Sequence, residues 1–228
     1  MTGHTEEKTE ERNTAGRLAL EVMHEIRNPL EALGHLTYLT LEEAHDPDKV
    51  IQYMKMAEEQ MATLNQIVSH TLGCARSTSD PTASDLSSLA ESALRIHHKR
   101  ISEKNIHLVK DFPEGLTARI HMGEILQVVS NLIVNALDAM QSNGTLSVRL
   151  RRRRDNFYIV VADNGQGIRP ENAQRIFEPF FTTKEENGTG LGLSLSKDIV
   201  GRHGGRIGVR SSVRPGKSGT MFRVSLPA

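Results

Sequence analysis

Over the first 43 residues, Val22, Ile26, Pro29, Leu33, Leu36 and Thr40 recur at alternating steps of four and three, and Pro29 is the only proline. That spacing keeps one face apolar and predicts a single long helix over Glu6–Glu43 with a bundle seam. Asp46-Pro47 then offers an N-cap followed by proline at the first helical position, so a second helix starts there. Its stripe runs Val50, Met54, Ala57, Met61, Leu64, Val68 and Leu72, close to a heptad, with Glu58, Glu59 and Gln60 largely off it. Two antiparallel helices with one seam each bury little surface alone. Pairing of two copies into a four-helix bundle is the expected solution, and a homodimer follows.

The pattern changes after residue 75. Arg76–Ser84 is small, polar and contains Pro81, which reads as a linker. Beyond it the periods predict a helix over Asp85–Glu103, strands over Ile106–Lys110 and Leu116–Ile120, and a helix over Gly123–Gln141. Strands over Thr145–Arg152 and Phe157–Ala162 follow, then a glycine-rich loop, a helix over Leu191–His203, and strands over Arg206–Arg210 and Thr220–Leu226. The expected fold class is α+β: an N-terminal antiparallel helical hairpin, then an α/β sandwich with helices on one sheet face. The expected boundaries are an N-terminal segment 1–14, a hairpin 15–76, a linker 77–84 and a second domain 85–228.

Composition narrows this only slightly. Twenty-eight basic residues balance twenty-eight acidic ones, so bulk charge points to neither nucleic acid nor a membrane surface. No apolar run is long enough to span a bilayer and no signal-peptide pattern follows Met1, so a cytoplasmic chain is expected. The single cysteine, Cys74, lies in a helical pattern and reads as a packing residue. His97 and His98 are adjacent, hence splayed on a helix, and read as surface residues rather than metal ligands. Arg151–Arg154 reads as a solvated strand end.

Candidate chemistry lies in five segments. His24-Glu25-Ile26-Arg27-Asn28-Pro29-Leu30 sets an imidazole beside a carboxylate, which can fix its tautomer and stabilise an imidazolium, leaving the other nitrogen nucleophilic. Asn131 and Asn135, four apart, share a helix face and could accept a hydrated cation with phosphate oxygens; a solvated polar face is the bland alternative. Asp163-Asn164-Gly165-Gln166-Gly167 follows an apolar strand, where Gly165 and Gly167 allow close approach of a flat ligand and Asp163 can accept from an exocyclic amine. Gly188-Thr189-Gly190-Leu191-Gly192 opens a helix whose amides suit polyphosphate, though its spacing is neither a Rossmann fingerprint nor a Walker loop. Between the glycine segments, Phe177, Phe180, Phe181, Thr182, Thr183 and Lys184 combine apolar anchors, hydroxyls and a cation, as in a mobile lid.

Taken in order, these segments resemble the sensor histidine kinases of two-component signalling, over nearly the whole chain from about Ala15 to Ala228. The resemblance implies the GHKL type of ATPase fold, shared with heat-shock chaperones, mismatch-repair ATPases and type II topoisomerases, and it implies ATP and Mg²⁺. It makes His24 the phosphoacceptor, Glu25 its activating partner and Asn28 the residue that orients a dephosphorylating water. Asn131 and Asn135 form the N box, with Asn135 as metal ligand, and Asp163 reads adenine. Gly165, Gly167, Phe177, Thr183, Gly188, Thr189, Gly190, Leu191 and Gly192 complete the nucleotide site. The implied partner is a response-regulator receiver domain, for which His24, Glu31, His35 and Tyr38 offer a dock.

One departure stands out: many such kinases carry a basic residue where this chain has Asp138, and Lys184 is a candidate replacement. The rivals are an inactive kinase-like scaffold or phosphatase, and a related serine kinase or ATPase. Acid-labile, base-stable phosphate would separate histidine from serine phosphorylation.

Overall fold

The computed structural model describes residues 23, 26–73, 80–183 and 190–228. His24, Glu25, Cys74, Lys184, Gly188 and Thr189 lie outside the described residues. The chain divides into two compact units, Met1–Ala75 and Arg76–Ala228.

In the first unit, helix α1 is described over 26–42 and helix α2 spans Pro47–Gly73. Asp46 caps α2 as its position implies, its Oδ1 accepting from the amides of Asp48 at 3.2 Å and Lys49 at 3.3 Å. Lys49 returns across the turn to Glu43 at 2.6 Å. Pro29, Leu36, Ala57 and Ile67 are buried. Met54 and Met61, which the sequence placed on the same stripe, are instead 53% and 48% exposed, and Leu41 and Ile51 are exposed beside them. The near-heptad stripe of α2 therefore serves two faces, only one of which packs against other described residues.

The second unit begins with β1 (Thr82–Asp85), paired antiparallel with β3 (Thr117–Ile120) in a small two-stranded sheet. This strand falls partly in the segment read as linker, where small polar residues give no alternating signal. Helix α3 (Leu86–Ile96) is capped by Asp85, which accepts from Ser88 N at 2.9 Å and Ser88 Oγ at 2.7 Å. Those bonds hold the Asp85 carboxyl below its usual range. The helix expected over Asp85–Glu103 breaks at His97, and α4 (His98–Glu103) follows as a separate element.

The main sheet has the order β2-β4-β5-β7-β6, from β2 (His107–Asp111), β4 (Thr145–Arg153), β5 (Asn156–Asp163), β6 (Arg206–Ser212) and β7 (Gly219–Pro227). Only the β2–β4 pair is parallel. Alternation decides its faces: Phe157, Ile159 and Val161 of β5 are buried, and Tyr158, Val160 and Ala162 lie on the more open face. Helix α5 (Met122–Ala139) covers the buried face with Ile125, Val128, Val129, Leu132, Ile133, Ala136 and Leu137, spaced for one helical stripe. Helix α6 (Gly192–Arg202) adds Leu195, Ile199 and Val200 to the same core.

Candidate functional site

The core-facing stripe of α5 leaves the opposite face polar, and Asn131 and Asn135 stand there one turn apart. Asn131 donates from Nδ2 to the Gly192 carbonyl at 3.2 Å, with the Ser196 hydroxyl at 3.5 Å. It thus ties the N-box helix to the start of α6. Asn135 lies half-buried one turn on.

β5 delivers Asp163 at its last position, half-buried, and the chain then turns away from the sheet. Asp163 Oδ1 accepts from Gly165 N at 2.8 Å and Thr220 N at 3.3 Å. Among the described residues nothing donates to Oδ2. Burial raises the Asp163 pKa from the usual carboxylate value, and the two amides only partly oppose that. A half-buried carboxylate with a free lone-pair edge is suited to an external N–H donor.

The glycines behind it are needed for fit. A Cβ on Gly165 would stand 2.4 Å from the Ala139 carbonyl oxygen, because Gln166 N bonds that carbonyl at 3.1 Å. Gly167 has φ +78° and its Cβ would meet the Ser212 carbonyl at 2.1 Å. The loop is wedged between the end of α5 and the β6–β7 pair. Ser211 and Thr220 hold it there: Ser211 Oγ accepts from Ile168 N at 2.8 Å and lies 2.9 Å from the Thr220 hydroxyl. Sequence reading placed Thr220 at the start of a strand and left Ser211 just beyond the end of one; strand register opposes Ser211 to Thr220, and Thr220 to Asp163.

The ends of the lid segment also meet. Gly190, φ +66°, presses on the backbone of Phe180, where an added Cβ would lie 2.3 Å from the carbonyl carbon. Phe180 itself has φ +64°. Phe177 and Phe181 pack half-buried on the core and Arg175 stacks over the Phe181 ring at 4.4 Å. Thr183 is exposed at the last described position before the gap. Leu191 is buried, and among the described residues no side chain caps α6, a helix start suited to an anion.

The structure therefore brings Asn131, Gly190, Leu191 and Gly192 into one group, and Asp163, Gly165 and Gly167 into another, both anchored on α5. The arrangement fits an adenine nucleotide: a half-buried carboxylate with an open edge, held by a glycine loop packed against α5 and β6, and a helix start that no described side chain caps. On the first unit, Asn28, Glu31, His35 and Tyr38 are exposed, and Tyr38 donates to Glu42 at 2.6 Å. His97, expected at the surface, is instead half-buried, with Nε2 2.6 Å from Ser130 Oγ. Desolvation and the Arg100 charge hold its pKa down.

Residues 122–228 match the family described as histidine kinase-, DNA gyrase B- and HSP90-like ATPase. Sporulation kinase D of Bacillus subtilis is 33% identical over 98% of this chain and 44% of its own length. The sensor histidine kinase ZraS of Escherichia coli K12 is 33% identical over 91% of this chain and 45% of its own. The chain thus spans under half the length of these curated relatives. The catalytic domain of the histidine kinase ThkA is 30% identical with a TM-score of 0.60, over 65% of this chain and 96% of that one. ThkA solved in complex with the response regulator protein TrrA is 27% identical with a TM-score of 0.73, over 98% of this chain and 65% of that one.

Proposed function

We propose, because this chain belongs to the sensor histidine kinases, that it binds Mg²⁺ and ATP in its second unit and phosphorylates His24 in its first. The observation that carries this reading is the glycine-cradled Asp163 beside the polar face of α5. Asp163 accepts from the adenine amine. Gly165 and Gly167 let the loop pack against α5 and β6 so that Asp163 is fixed toward the base, and Asn131 holds the start of α6, with Gly190, Leu191 and Gly192, toward the phosphates, where Gly188 and Thr189 are the proposed further ligands. Asn135 is the proposed Mg²⁺ ligand; when bound, the ion neutralises charge on the phosphates. Phe177, Phe181 and Thr183 belong to the lid that excludes water.

Phosphoryl transfer depends chiefly on in-line positioning and charge neutralisation. The neutral His24 nitrogen attacks the γ-phosphorus, the bond to the bridging oxygen breaks toward ADP, and Glu25 stabilises the imidazolium. The resulting phosphoramidate passes to an aspartate of a receiver domain. That assignment is supported by the likeness to ThkA, which was solved in complex with a response regulator protein. Asn28 orients the water for the opposing phosphatase function, in which water takes the phosphoryl group from the receiver aspartate and releases inorganic phosphate.

We assign 1–14 to an N-terminal segment, 15–76 to the phosphoacceptor hairpin, 77–84 to the linker and 85–228 to catalysis. The exposed Leu41, Ile51, Met54 and Met61 support a homodimer through the hairpin. No described helix is long and apolar enough to cross a membrane, and we place the activity in the cytoplasm. Autophosphorylation with γ-labelled ATP tests the whole reading. Acid-labile label on the parent and none on His24→Gln is expected; label surviving in His24→Gln, or ATP bound without label in either, would refute it.

A further inference from the structure

Asn131, Asn135 and Asp138 fall at steps of four and three, so they share one face of α5. Two amides suit a cation and phosphate oxygens. A carboxylate there adds negative charge on the face that, in the proposed function, receives a polyphosphate. The fold answers it with a guanidinium: Arg100 Nη2 of α4 lies 2.5 Å from Asp138 Oδ1. The Arg100 side chain stays 42% exposed. Arginine has five N–H donors in a planar fork, so one bond to Asp138 leaves others for phosphate oxygens.

Arg100 is also held in place. On one side of it in sequence, His97 joins Ser130 of α5 at 2.6 Å. On the other, Lys104 Nζ donates to the carbonyls of Leu137 and Met140 at 2.6 and 2.9 Å, closing the C-terminal end of α5. Lys104 is thereby committed to the helix end, whereas Arg100 presents a cation beside the Asn135 face. A phosphate ligand arriving there meets a charge fixed before binding, so little side-chain entropy remains to be lost.

We propose that Arg100, positioned by Asp138, is a phosphate-binding residue of the nucleotide site and supplies from α4 the positive charge that position 138 lacks. The inference rests on the proposed ATP site. It is tested by calorimetric titration of the full chain with Mg·ATP and, separately, with adenosine. R100Q is expected to weaken ATP by about tenfold or more, the scale of a lost charge-assisted hydrogen bond, and to leave adenosine unchanged. The double variant R100Q/D138N, which removes both charges, should stay weak for ATP, and R100Q/D138K should recover much of the loss. Parental ATP affinity in R100Q, or its return in R100Q/D138N, would overturn the proposal, the latter by reducing Arg100 to a neutraliser of Asp138. A parent chain that binds neither ligand would overturn the ATP reading, and this inference with it.

Discussion

The two units treat their apolar residues differently. In the second, Leu132, Ile133, Leu137, Leu146, Leu150 and Ile159 are fully buried in one continuous core shared by helices and sheet. In the first, Leu41 is 78% exposed, and Ile51, Met54 and Met61 lie open while Leu36 and Ala57 fill the seam. A sandwich closes on itself because a sheet face and a helical layer are extended surfaces. A two-helix hairpin can cover only one stripe of each helix, so a second stripe needs another molecule. The units should accordingly differ in how stability responds to core truncation and to dilution.

The largest effect is expected from Phe157→Ala, which removes a fully buried aromatic ring from β5, the central strand of the sheet. It should cost about 3–5 kcal/mol in denaturant unfolding of the second unit, independent of protein concentration. A cost that varied with concentration would break the contrast. Next, melting of the hairpin should fall with dilution, by about 1.4 kcal/mol of dimer stability for each tenfold step. Leu41→Asp with Ile51→Asp should yield monomers by sedimentation while the second unit melts unchanged. Dimers that persist in that variant would place the contact elsewhere.

Asp85→Ala removes the α3 cap and should cost about 1 kcal/mol at neutral pH. The folded Asp85 pKa is depressed, so its stabilisation is present above the unfolded value and is lost as pH falls through the folded one. The gap between parent and variant in thermal melts should therefore close in acid. The smallest stability effect concerns Asp163, whose pKa is shifted the other way. A raised folded pKa means the folded state holds its proton more tightly, so stability declines as pH rises from the unfolded value through the folded one. Asp163→Asn should flatten that slope in the ligand-free protein while abolishing adenine binding. A variant with the parental pH slope would show that burial of this carboxylate is not the cause.

Much of the layout of the candidate site was readable in advance because its residues are adjacent in sequence or one helical turn apart. Asn131 and Asn135 share a face by periodicity, and Asp163, Gly165 and Gly167 are nearly consecutive on a strand end. Thr220, Ser211 and Arg100 were not readable, since each reaches the site from an element distant in the chain, through strand register or helix packing. The same limit explains Met54 and Met61: period alone marks a residue as apolar, without saying which neighbour covers it. It also explains His97, whose burial follows from the break between α3 and α4.

What the sequence by itself determined is whatever short-range geometry carries: helix and strand periods, the cap at Asp46, the glycine turn after Asp163, and the order of motifs that marks the family. Tertiary structure alone decided the sheet order, the wedge of Gly165 and Gly167 against Ala139 and Ser212, and the meeting of Arg100 with Asp138, 38 residues away. The reason is physical. A local pattern sets which way a side chain faces, but its partner across the core is chosen only when distant elements bury their apolar stripes together.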